Sequence, residues 1–165
     1  MVDKSLAERL QPSLLDRLTD NDPGNRKEAR DSRVIDLHRL RMIIQRDLSW
    51  LLNTQNAECH FDAERFPRAA ASVLNFGLSE VSGKYTGSER AEAIRLSIEN
   101  AISQFEPRII EGSVDVQLSE GTDAADMTVG LDIRADMWAQ PMPLELYLRS
   151  KVDLTTGEVD VDRGG

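Results

Sequence analysis

Apolar side chains recur at intervals of three and four residues from Val34 to Leu52: Val34, Leu37, Leu40, Ile44, Leu48, Leu51 and Leu52. That spacing puts them on one helical face and predicts a helix from about Arg33 to Asn53. Asp31 or Ser32 suits its start and Asn53 its end. The run RAAASVLNFG predicts a short helix after Pro67, with Gly77 as its stop. Thr86 and Glu89 have capping-box spacing, and Ile94, Ile98, Ile102 and Phe105 follow as an apolar stripe. Pro107 ends that helix because its ring pushes Glu106 out of the α region. Beyond it the period changes to two. Val114, Val116 and Leu118 alternate with polar residues, as do Met127 to Ile133, Leu144 to Leu148, and Val159 with Val161. About four strands with one apolar face predict a mostly antiparallel sheet covered on one side. Glu120–Asp123 and Thr155–Gly157 have turn chemistry, and Pro141 and Pro143 interrupt pairing. The predicted class is α+β, with N-terminal helices packed on one face of the sheet.

The N-terminus breaks this order. Leu6 and Leu10, then Leu14, Leu15 and Leu18, form two short leucine clusters around Pro12. Thr19 to Arg33 holds one apolar residue, Ala29, and the turn dipeptide Pro23-Gly24. Such a stretch cannot offset its ordering entropy and reads as a flexible linker. The predicted organisation is a tethered peptide (1–18), a linker (19–33) and one domain (34–162). Two roles are open for the leucines: folding back on the chain's own core, or filling a groove on a partner.

Composition narrows the functions. The 165 residues carry 29 acids against 20 Lys and Arg, a formal charge of -9. That balance argues against binding nucleic acid or anionic lipid. The single cysteine, Cys59, forbids an internal disulfide and fits a reducing compartment. No apolar run reaches membrane-spanning length, and no signal-peptide core is visible.

Candidate chemistry is sparse. Cys59-His60 sits among Glu58, Asp62 and Glu64, which disfavour a thiolate. One cysteine and two histidines fall short of a zinc set, and His38 has no second ligand at helical spacing. Gly77–Tyr85 has five residues between its glycines where a phosphate loop needs four, and Tyr85 replaces the magnesium-binding hydroxyl. A glycosidase needs two carboxylates at fixed separation, and 29 acids make candidate pairs inevitable. Neither a cofactor nor a metal is expected. The constellation that stands out is Phe105-Glu106-Pro107-Arg108. Pro107 fixes a sharp turn, and an extended exit puts Glu106 and Arg108 on one side. Arg108 can offer a bidentate contact to a partner carboxylate and Glu106 can receive a partner base. The plainer reading is a helix stop with solvated charges.

Three blocks carry a resemblance: Ser13-Leu14-Leu15-Asp16-Arg17-Leu18, Ser72-Val73-Leu74-Asn75-Phe76-Gly77-Leu78 and Phe105-Glu106-Pro107-Arg108-Ile109. In this order and spacing the chain resembles the type VI secretion baseplate subunit TssE, from about Pro12 to Val161. Phe76 stands where that family often has Tyr. The family is related to the wedge protein of contractile-phage baseplates. The resemblance implies a non-enzymatic structural role, in a cytoplasmic baseplate docked at the inner membrane. The implied partners are the wedge proteins TssF and TssG, the TssK-containing baseplate, and the sheath proteins TssB and TssC. It implies a sheet that primes the sheath by strand addition, and a functional Glu-Pro-Arg motif at Glu106, Pro107 and Arg108. Leu14, Leu15 and Leu18 are the expected anchor to a wedge partner. Alternatives are an anti-adaptor-like binding domain of the same fold and, remotely, a peptidoglycan hydrolase.

Overall fold

The structure, a computed structural model, describes residues 13–20, 23–24, 35–79, 87–119, 128–138 and 143–163. Its helices are α1 (Leu14–Leu18), α2 (Leu37–Leu52), α3 (Pro67–Ala70) and α4 (Gly87–Phe105), and its strands β1 (Asp115–Leu118), β2 (Thr128–Met137), β3 (Leu144–Asp153) and β4 (Val159–Arg163). The strands form one antiparallel sheet in chain order. The expected α+β class holds.

Helix α2 starts at Leu37 because the Asp36 carboxylate accepts from the Arg39 N–H at 2.7 Å. The expected start near Arg33 and the candidate caps Asp31 and Ser32 lie outside the described residues, as do Leu6, Leu10, Val34, Thr86, the turn 120–123 and Pro141. Of the expected linker, the described part includes a turn at Pro23-Gly24. The stripe Leu40, Ile44, Leu48, Leu51 and Leu52 is buried, and Ile94, Ile98 and Ile102 of α4 face the same core. Complete burial of one such side chain contributes about 1.5–3 kcal/mol.

Strands β2 and β3 pair over ten residues each, from Thr128↔Asp153 to Met137↔Leu144. Val129, Leu131, Ile133, Ala135 and Met137 point inward from β2, and Leu146, Leu148 and Val152 from β3. Strand β3 therefore runs past the Leu144–Leu148 alternation. The polar Ser150 hides the continuation; it is fully buried, with its hydroxyl 3.4 Å from the Leu131 carbonyl. In β1 only Val116 is buried, and Leu118 at the end of this short edge strand is 42% exposed.

Two expectations need correction. RAAASVLNFG is not one helix. It makes one turn at α3, then a separate 3₁₀ turn at Val73–Asn75, because extended Ser72 breaks the run and its hydroxyl caps Leu74. Gly77 is likewise no helix stop. Its φ is +121°, and a Cβ there would lie 2.2 Å from the Thr54 carbonyl oxygen, so only glycine fits. The close approach allows the Leu78 N–H to donate to that oxygen at 2.7 Å.

Asn53 does more than end α2. Its amide donates to the Val159 carbonyl at 2.7 Å, and its Oδ1 accepts from the Val159 N–H at 2.9 Å. Gln45 donates to the Val161 carbonyl at 2.8 Å. Side chains of α2 thus take edge hydrogen bonds of β4 that another strand would use.

Candidate functional site

The end of α4 is shaped by one proline. The Glu106 N–H still closes the helix on the Ile102 carbonyl (3.0 Å), and the Glu106 carbonyl accepts from the Ile109 N–H (3.1 Å). Pro107 occupies the second position of that turn, where its fixed φ is favourable. The exit is then pinned to β2: the Trp138 N–H donates to the Arg108 carbonyl at 2.7 Å, and the Ile110 N–H to the Asp136 carbonyl at 2.8 Å.

This backbone turns the two charged side chains onto each other. The Arg108 Nε donates to Glu106 Oε1 at 2.6 Å, its Nη2 donates to Glu106 Oε2, and its backbone N–H adds a bond to Oε1 at 3.1 Å. Glu106 is 6% exposed, so the plain reading of a solvated flanking charge does not describe it. Arg108 Nη2 also reaches Asp47 Oδ2 on α2 at 2.8 Å. Partial burial pulls the Arg108 guanidinium down, but its bonds to Glu106 and Asp47 outweigh that and hold it above its ordinary value.

The network continues beyond the motif. Arg46 donates from Nε and Nη2 to Asp47 Oδ1, at 3.0 and 2.7 Å. Its Nη1 and Nη2 hold both oxygens of Asp16, at 2.6 and 3.1 Å. Five side chains thus alternate in charge: Asp16, Arg46, Asp47, Arg108, Glu106. The Arg46 hydrogen bonds bring the Asp16 carboxyl down to about 2, against the smaller opposing effect of burial, and the same bonds raise Arg46. Arg46 also lies over the Trp50 ring, 4.8 Å from its centre.

Beside this network runs an apolar groove of about 470 Å³, lined by Leu14, Leu15, Trp50, Phe76, Phe105 and Pro107, among others. Phe76 and Phe105 meet edge to face at 5.5 Å. Glu106, Pro107 and Arg108 therefore share one site with Leu14 and Leu15, although the chain separates them by some ninety residues. Leu18 is not part of the lining and is 75% exposed. No residue of α1 is buried, so the described leucines do not fold back into the core. Asp16, Arg46 and Asp47 were not singled out in the sequence. Asp16 lay inside a quoted block, but no spacing rule connects it to Arg46. Cys59 is exposed on a 3₁₀ turn.

Charges that saturate one another, next to an apolar groove rimmed by aromatics and arginines, equip a domain to dock with other proteins. Over residues 38–142 the chain matches the family described as baseplate wedge protein gp25, and it belongs to that family of structural baseplate components. This agrees with the resemblance to TssE. The matched span runs from α2 through β2 and includes the Glu106–Arg108 turn. No curated protein and no solved structure matches the chain.

Proposed function

We propose that this chain is a TssE-like subunit of a type VI secretion baseplate, linking the wedge complex to the contractile sheath and priming sheath assembly. The observation that carries the reading is the hydrogen-bonded Glu106–Pro107–Arg108 turn beside the groove, within the span that matches the baseplate wedge family. The wedge proteins TssF and TssG dock at this junction, in a baseplate that also holds TssK, at the cytoplasmic side of the inner membrane. Among the described residues no helix is long and apolar enough to cross a membrane. The sheath proteins TssB and TssC meet the sheet by strand addition. Asn53 and Gln45 occupy edge groups of Val159 and Val161, so strand addition on that stretch of β4 would require their release. The hydrolase alternative gains nothing from Glu106, whose oxygens are both taken by Arg108.

The test compares two variants by co-purification with TssF–TssG and by counting sheaths that contain fluorescent TssB. Arg108→Ala is expected to lose both. Leu131→Ala, a core change of similar expected cost on the sheet, should keep both in proportion to the folded protein present. Wild-type sheath numbers with Arg108→Ala would refute the junction role.

A further inference from the structure

Helix α1 docks with the reverse of ordinary amphipathic packing. A surface helix normally buries its apolar stripe and leaves its charges in water. Here the Asp16 side chain is only 13% exposed, whereas Leu14 and Leu18 are 70% and 75% exposed. Five residues are too few to sustain a helix alone. The segment has its Ser13 cap and the two-pronged grip of Arg46 on Asp16. Arg46 is itself held on α2 by Asp47 and over Trp50, so it is a fixed anchor. Asp47 shares its other oxygen with Arg108, which joins the anchor to the Glu106–Arg108 turn.

The result is a groove with two sources. Leu14 and Leu15 supply one wall, and Trp50, Phe76, Phe105 and Pro107 the other. We infer that the Asp16–Arg46 pair is a positioning clasp. It holds the N-terminal segment with its leucines turned outward, so that one chain presents both walls before a partner arrives. The occupant is an aliphatic segment of a baseplate wedge subunit, because the groove is lined mainly by apolar side chains and the charges beside it are already paired with one another. This occupant rests on the wedge reading above. Asp16 need not touch the partner, because pre-ordering a wall removes an entropic cost of binding.

The experiment has two readouts on the full chain. The first needs no partner: NMR backbone shifts and relaxation of residues 14–18 in the wild type, Asp16→Asn and Asp16→Glu. Helical shifts and restricted motion are expected in the wild type, loss of both in Asp16→Asn, and retention in Asp16→Glu, which keeps the carboxylate. The second is affinity for purified TssF–TssG, expected to fall about tenfold in Asp16→Asn and to stay near wild type in Asp16→Glu. Residues 14–18 that remain ordered in Asp16→Asn would overturn the clasp. Release of the segment with unchanged affinity would remove α1 from the groove and leave the wedge reading standing. If the wild type does not bind TssF–TssG, the occupant falls with the wedge reading, while the shifts still decide the clasp.

Discussion

Two arginine clusters in this molecule use the same chemistry over different distances. On α4, Arg95 donates to Glu92 and Glu99, three and four residues away, and to the Val116 carbonyl at 3.2 Å. At the motif, Arg108 reaches two residues back to Glu106 and sixty-one residues back to Asp47, while Arg46 reaches thirty residues back to Asp16. All three arginines are held above their ordinary values by their carboxylates. The consequences differ because the surroundings differ. The Arg95 pairs lie along a helix surface and can form as soon as the helix does. The Arg108–Asp47 pair exists only when α2 is packed against the end of α4, and Arg108 neutralises a carboxylate, Glu106, that water hardly reaches. An ion pair's importance is thus set by what is left behind when it breaks.

The largest effect should come from breaking the distant cluster. Arg108→Ala strands Glu106 in a buried position and is expected to cost about 3 kcal/mol in urea or thermal unfolding. Adding Glu106→Gln to that variant removes the orphaned charge and should recover more than half of the loss. No recovery would show that Arg108 acts through packing rather than charge. Asn53→Ala tests a neutral long-range contact by the same measurement. It removes the bonds to Val159 and should cost about 1–2 kcal/mol.

A smaller effect is expected from pH. The Asp16 carboxyl lies near 2 when docked, against 3.8 ordinarily, so the folded form favours its ionised state. Its contribution is therefore complete above about pH 4 and lost as pH falls through 2, a window that NMR shifts of residues 14–18 can follow. Arg95→Ala should be smallest, a fall in Tm of no more than about 3 °C, since exposed pairs contribute little. A larger fall would assign weight to the bond with Val116 and narrow the contrast between the clusters.

Much of this molecule was legible before folding. The apolar stripes of α2 and α4 and the alternation in β2 and β3 follow directly from periods of 3.6 and 2, and they produced the α+β layout. Glu106, Pro107 and Arg108 stood out as a charged turn at a predicted helix end, but spacing alone favoured a helix stop with solvated charges, and the functional reading came from the resemblance to TssE. The break at Ser72 was missed because capping competes with helix propagation only once the backbone is placed. Gly77 was misassigned for a related reason: its true constraint is the Thr54 carbonyl, twenty-three residues away.

Period and turn chemistry are local, so the sequence by itself determined the two long helices, the strands, their apolar faces, the class of the domain and the place of the charged turn. Only the tertiary structure decided what the charges do. Asp16, Arg46 and Asp47 are three unremarkable charged residues along the chain, in a protein with many. They become a site because packing α2 against the end of α4 brings Asp47 to Arg108, and because Arg46 on the same helix then reaches Asp16. Coulombic attraction and hydrogen bonding depend on separation in space, a quantity that the order of residues does not contain.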